Sequence, residues 1–359
     1  MIDYLKKHTN AWLVSIIGWT GAFYLYFIIS YWGLSGSLNN SILDDYLSSW
    51  LAHLEIILGS FFFGIFFGVI NSLTDNSKLR NKPILIIVLL KSFLYITALL
   101  IASAIIYWIY NFFDLLPQET YNQLLNLFSP FAIASMLLYL IVVLVFFNFI
   151  IILNKKLGKG NIVNLLFGRY QKPKVEERIF MFLDLKDSTT IAEKLGHKKY
   201  SSMIRECFHD LTDILIKYNG EVYQYVGDEV VIMWKPGEGF RNFNCVRTYF
   251  DYQNKLNNLK NEYILKYGSV PFFRAGMDMG TVTVVEIGDL KREIAYHGDV
   301  LNTASRIQEQ CKMLSEKILV SKNIIDNLNF NNGFTKNSLG EFVLKGKRNS
   351  VEVFSISYN

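Results

Sequence analysis

The stretch "IFMFLDLKDSTTIAEKLG", residues 179–196, decides how the second half of the chain is read. Its opening run of large apolar residues, Ile179 to Leu183, is short and unbroken, as in a strand buried on both faces. Asp184 falls at the end of that strand. The residues after it open like a helix, with Asp187 or Ser188 at the N-cap. A carboxylate at a strand terminus beside a helix N-terminus is a place where a divalent cation and a phosphate meet. The acid holds the cation, and the free amides near Ser188 and Thr189 face phosphate oxygens.

Further along, "YQYVGDEVVIMW" (223–234) sets Gly227, Asp228 and Glu229 between two β-rich runs, the pattern of a tight hairpin with an acid at its tip. If the two strands are neighbours, Asp184 and Asp228 share metal ions, and Glu229 supports them rather than binding. "FFRAGMDMG" (272–280) reads as a core strand carrying Arg274, with Gly276 and Gly280 permitting close backbone approach. "YHGDVLNTASRIQEQC" (296–311) is a glycine turn leading into a helix on which Asn302 and Arg306 share one face. An amide that fixes a sugar and a guanidinium that meets a phosphate need that arrangement. "GEFVLKGKRNSVEVF" (340–354) reads as a strand, a Lys345-Gly346-Lys347 turn and a second strand. His297 reads as structural.

Composition sets the frame for these motifs. The chain has 359 residues, 51% hydrophobic and 15% aromatic with 19% charged, too apolar for a soluble globule of that length. The excess lies before residue 154, in four runs of roughly 11–33, 50–73, 83–110 and 130–153. Each is long enough to span a bilayer core as a helix, which takes ~20 apolar residues. Lys6 and Lys7 precede the first run, Lys78, Arg80 and Lys82 separate the second from the third, and Lys155, Lys156, Lys159 and Arg169 follow the fourth. The other two loops carry Asp44, Asp45, Asp114 and Glu119 and no basic residue. The positive-inside rule then makes both termini cytoplasmic in a multi-pass protein of the cell (inner or plasma) membrane. The first run is too long for a cleaved leader.

His53 and Glu55 lie near the outer end of the second run, Lys91 within the third and Asn148 within the fourth. They read as interfacial anchors, with a sensor of an unidentified ligand as the alternative. The net charge of +5 comes largely from the loops flanking the spans and makes no case for nucleic acid. Cys207, Cys245 and Cys311 are odd in number and without CxxC spacing, so they read as reduced thiols. The expected organisation is a membrane domain over 1–153, a helical linker over 154–178 and a catalytic domain over 179–359. In the linker, Ile162, Leu165, Leu166, Phe167 and Tyr170 fall on one helical face before Pro173 ends it.

The motifs "FLDLKDST", "YQYVGDE", "FRAGMDMG", "GDVLNTASRI" and "VLKGK", in that order, resemble the class III nucleotidyl cyclase domain of adenylate and guanylate cyclases over residues ~176–356. The resemblance implies a cytosolic α+β, ferredoxin-like domain after a four-helix transmembrane bundle. It implies two Mg²⁺ or Mn²⁺ ions on Asp184, Asp228 and the carbonyl of Leu185. Arg274 and Lys345, with Lys347 as the alternative, match positions that hold the triphosphate. Asn302 resembles the ribose-orienting asparagine and Arg306 the arginine that stabilises the transition-state phosphate. In this family the metals come from one chain of a head-to-tail homodimer and the asparagine and arginine from the other.

Two positions depart from the family pattern. The base-reading position before the second aspartate usually carries lysine in adenylate and glutamate in guanylate cyclases, and here it is Gln224. Its companion, seven residues before Asn302, is Ala295. The expected activity is conversion of ATP to cyclic AMP and pyrophosphate. A guanylate or pyrimidine cyclase and a catalytically silent membrane receptor are the alternatives. A diguanylate cyclase would need a GG[DE]EF hairpin, and "YVGDEV" lacks its first glycine.

Overall fold

The computed structural model describes residues 2–34, 49–74, 84–113, 130–157, 164, 167–330, 333–347 and 349–358. The chain divides into two compact units, Met1–Ile150 and Ile151–Asn359.

The first unit contains four helices, α1 (Ile2–Leu34), α2 (Trp50–Thr74), α3 (Ile84–Phe112) and α4 (Pro130–Leu157). All four are long and apolar enough to cross a membrane, over Trp12–Ser30, Trp50–Thr74, Leu89–Phe112 and Ala134–Ile151. The loops carrying Asp44, Asp45, Lys78, Arg80, Lys82, Asp114 and Glu119 fall outside the described residues, as do Lys159 and Ile162, Leu165 and Leu166 of the expected linker helix. Where polar groups are costly, helices associate through small residues that let backbones approach. Ser60, Gly64 and Gly68 supply such a stripe on α2. A Cβ at Gly64 would lie 2.7 Å from Ile16 Cα, and one at Gly68 would lie 2.5 Å from the Trp12 ring. Thr20 Oγ1 donates to Ser60 Oγ across the same seam at 2.9 Å. Outward faces carry Leu13, Val14, Ile17, Phe93, Leu138 and Val145, all exposed apolar side chains suited to lipid.

Lys91 of α3 is bonded to α2. Its Nζ donates to Asn71 Oδ1 on α2 at 2.7 Å, and Tyr95 donates to the same oxygen at 3.1 Å. The ammonium is held between helices because an unsatisfied charge in hydrocarbon costs several kcal/mol. His53 packs beside Tyr24 and Phe27 of α1, with ring centroids 6.0 and 5.5 Å away.

The second unit is built on one eight-stranded mixed sheet. The elements in chain order are β1 (Lys174–Leu185), α5 (Ser188–Lys217), β2 (Glu221–Val226), β3 (Glu229–Trp234), α6 (Asn244–Asn258), α7 (Lys260–Tyr267), β4 (Phe273–Ile287), β5 (Glu293–His297), α8 (Asp299–Met313), β6 (Ile318–Ser321), β7 (Phe334–Phe342) and β8 (Val351–Tyr358). The sheet runs β2-β3-β1-β4-β6-β8-β7, with β5 pairing the outer half of β4. Its β2-β3-β1-β4 portion, with α5 and α6 as crossovers, is the ferredoxin-like core. Strand β1 starts at Lys174, inside the segment read as linker, because Lys174–Arg178 continue the antiparallel ladder to β4.

β1 is buried on both sides, as its unbroken apolar run requires. Ile179, Met181, Leu183 and Leu185 face a core shared with α5 and α6, including Cys207, Tyr249 and Tyr252. Phe180 and Phe182 face the opposite side with Val231, Tyr296, Val300 and Ala304. The second side is covered by α8, which lies directly on Gly276: a Cβ there would sit 2.2 Å from the Gln308 backbone nitrogen and 2.5 Å from the Ala304 carbonyl. Gly280 has more room, 3.3 Å from Val300 Cβ. All three cysteines are free and buried.

Candidate active site

Two clusters of polar side chains stand on this unit. The first gathers at the ends of β1, β3 and β4. Gly227 and Asp228 form the two-residue turn between β2 and β3. Only the glycine has positive φ (63°), the pattern of a type II′ turn, so the tip is tight and aims Asp228 beside β1. In the ladder, Asp184 pairs with Glu229 on one side and Arg274 on the other. Burial and the neighbouring Asp228 push the Asp184 carboxyl up to about 6, against the opposing effects of the Gln308 amide and the Arg274 guanidinium. Burial, then Asp184, Asp228 and Glu309, push Glu229 up to about 7. Asp228 Oδ2 is buried and has no hydrogen-bond partner among the described residues. Acids that repel one another around an orphaned carboxylate oxygen are a charge arrangement that a cation completes.

Among the described residues, no three His, Cys, Asp or Glu side chains gather as a cage. Mg²⁺ is characteristically held by one or two carboxylates together with substrate phosphates, so two aspartates and the Leu185 carbonyl fit it. Ser188 opens α5 beside this cluster. Asp187 occupies the N-cap with left-handed φ of 58° and makes no side-chain capping bond, so it is no capping residue in the usual sense. The first-turn amides are left without a side-chain cap. Tyr200 joins the cluster beyond a break in α5 at Gly196 (φ 70°). Its hydroxyl is pushed up to about 12 by burial and by Asp228, and it also faces Ser188. Spacing does not single Tyr200 out in the sequence, because the glycine break resets the helical phase.

The second cluster lies on α8 and the β7–β8 turn. Asp299, Asn302, Arg306, Lys345, Gly346 and Lys347 line one pocket. The two lysines divide their duties. Lys347 Nζ bonds Asp299 at 2.8 Å and also Thr303, tying the turn to the first turn of α8. Lys345 is exposed in the same pocket, available to an anion. Arg306 pairs with Glu309 one turn on. None of Asp184, Asp228, Ser188, Thr189 or Arg274 lines this pocket.

Gln224 and Ala295 sit on different strands, β2 and β5. Their neighbours Tyr223 and Tyr296 meet with ring centroids 5.1 Å apart, over Phe180. Gln224 is exposed at a register shift in the β2–β3 ladder. Ala295 is 5% exposed and pairs with Val285. Sequence reading missed Gln308, which is 8% exposed and whose Nε2 donates to Asp184 Oδ2 at 3.3 Å. Its signal was present: Ala304, Ile307, Gln308 and Cys311 mark the core face of α8, and one of the four is polar.

Architecture and site describe an α+β catalytic unit preceded by four apolar helices. Residues 170–357, more than half of the chain, match the adenylate and guanylate cyclase catalytic domain, and the chain belongs to that family. It is 32% identical over 209 residues to Adenylate cyclase 2 of Rhizobium meliloti (strain 1021), covering 58% of each protein. Over 219 residues it is 25% identical to Adenylate cyclase 1 of the same organism, covering 58% of this chain and 32% of that protein. The chain thus spans well under two thirds of either relative. A bacterial light-regulated adenylyl cyclase shares the fold, with a TM-score of 0.53 at 20% identity over 64% of this chain and 67% of that one.

Proposed function

We propose that the protein is a membrane-anchored nucleotidyl cyclase that converts ATP to cyclic AMP and pyrophosphate at sites shared between two head-to-tail copies of the chain. The observation that carries this reading is the separation of the two clusters: acids at the strand ends of β1 and β3, and Asn302, Arg306 and Lys345 in a pocket none of those acids lines. One chain holds two halves of a site. A second copy brings complementary halves together twice.

In the reaction the ribose 3′-oxygen attacks the α-phosphorus, the bond to the β-phosphate oxygen breaks, and pyrophosphate leaves. Asp184, Asp228 and the Leu185 carbonyl would hold two divalent cations, which when bound would lower the cost of ionising the 3′-hydroxyl and neutralise charge on the leaving group. Arg274, Lys345 and the amides of Ser188 and Thr189 grip the triphosphate in an extended pose. Asn302 fixes the ribose so that attack is in line. Arg306 stabilises charge on the α-phosphoryl oxygens, a role whose loss costs roughly 10²–10³ in rate. Glu309 keeps the guanidinium paired until a phosphate replaces it.

The test is complementation in the full-length protein. Asp184→Ala and Arg306→Ala should each be inactive with ATP and Mn²⁺ or Mg²⁺, whereas co-expressed chains should recover part of the activity, since each mixed dimer retains one complete site. Heterodimers that form and show no recovery would exclude the shared site. The guanylate reading keeps its place through Gln224 and Ala295, so the assay includes all four ribonucleoside triphosphates.

A further inference from the structure

Helix α8 has two working faces. Asn302 and Arg306 line the pocket on its outer face, while Gln308 lies on its inner face against the sheet. The inner face is fixed in place. Gly276 leaves no space between β4 and the Gln308 backbone, where a Cβ would lie 2.2 Å from the nitrogen. Ala304, Ile307 and Cys311, on the same face, are fully buried. From this clamped position the Gln308 amide reaches across the sheet face to Asp184, donating to Oδ2 at 3.3 Å.

We propose that Gln308 is a positioning residue for the metal-binding carboxylate of its own chain, holding Asp184 in one orientation while the helix that carries it presents Asn302 and Arg306 to the partner chain's site. This rests on the shared-site reading above. A carboxylate at the end of a strand can turn about χ2, and the Gln308 donor on Oδ2, together with the Leu185 backbone N–H, restricts that freedom. Partners of this kind behind a metal ligand are worth about 10- to 100-fold in metal affinity. The alternative occupant of such a position, an apolar residue, would pack α8 equally well and leave Asp184 less restrained. A buried amide at a core-face position costs free energy unless its hydrogen bond is made.

Gln308→Met keeps the length and packing of the side chain and removes the donor. Mn²⁺ binding to the full-length protein, read by electron paramagnetic resonance with a non-cyclisable ATP analogue present, should weaken by about 10- to 100-fold. Turnover lost at low Mn²⁺ should be recovered in large part by raising Mn²⁺, which a packing defect would not allow.

Mixed dimers of Asp184→Ala and Arg306→Ala chains then separate positioning from packing. In these dimers the surviving site takes its acids from the Arg306→Ala chain. Adding Gln308→Met to that chain should raise the Mn²⁺ concentration needed for half-maximal activity, and adding it to the Asp184→Ala chain should not. Unchanged Mn²⁺ affinity, or an effect that follows the chain supplying Arg306, would overturn the assignment. Wild-type protein that binds no Mn²⁺ would overturn the cyclase reading itself, before any Gln308 variant enters.

Discussion

Asp184 and Glu229 are cross-strand partners whose carboxyls both resist ionisation, pushed up to about 6 and about 7 chiefly by burial. A carboxyl whose pKa is higher folded than unfolded contributes stability that is complete below its unfolded value and is lost as pH rises through its folded one. For Glu229 that window runs from the ordinary glutamate value of 4.5 to about 7. In EDTA, therefore, the wild type should be less stable at pH 8 than at pH 5. Glu229→Gln should raise the melting temperature at pH 8 and leave it nearly unchanged at pH 4. The three buried cysteines all belong to the second unit, so a thiol-reactive dye reads its unfolding specifically. A Gln variant no more stable than wild type at pH 8 would refute the charge crowding.

At the same scale, the proposed base reader Gln224 would offer both a donor and an acceptor, able to pair with adenine in one orientation and guanine in the other. Ala295 adds no polar reader. ATP should be the best substrate with measurable turnover of GTP, and Gln224→Lys with Ala295→Asp should sharpen the preference for ATP. A tenfold or greater preference of the wild type for another triphosphate, about 1.4 kcal/mol of transition-state discrimination, would leave the cyclase assignment standing and remove the adenylate one.

Among the elements, α8 is where stability and function depend on a single contact. Gly276 and Gly227 are both glycines for physical reasons, but different ones. A methyl group at 276 meets the backbone of α8 at 2.2 Å, whereas one at 227 meets nothing within 4 Å and is disfavoured only by φ of 63°. Gly276→Ala should therefore destabilise the second unit by ~1–3 kcal/mol or more, as overpacking does, and carry Asn302 and Arg306 out of register. Gly227→Ala should cost about 1 kcal/mol, the usual penalty for a side chain in the left-handed region. Thermal unfolding of the two variants checks the order. Equal effects would mean that α8 yields to the added methyl.

At the scale of the whole molecule, the basic loops predict that both termini and the second unit share one side of the bilayer. Cysteines introduced at Asp45 and Asn122 should react with a membrane-impermeant reagent applied to intact cells, and one at Ser77 should not. The native thiols are buried and give little background. The inverse pattern would place the catalytic unit away from its nucleotide.

The sequence alone determined the elements whose cause is local. Period and length marked the four apolar helices, unbroken burial marked β1, a glycine before an acid marked the β2–β3 turn, and the spacing of Asn302 and Arg306 put them on one helical face. Ordered motifs were enough to name the family. Tertiary structure decided whatever depends on which surfaces meet. It extended β1 back to Lys174 through pairing with β4. It gave Lys347 to Asp299 and Thr303, leaving Lys345 exposed. It bonded Lys91 to Asn71 across two helices. It brought Tyr200 to Asp228 and Gln308 to Asp184 over 124 residues of chain. Helical and strand periods report which face of an element is buried, and the free energy that selects the partner of that face arises only when separate elements pack and exclude water between them.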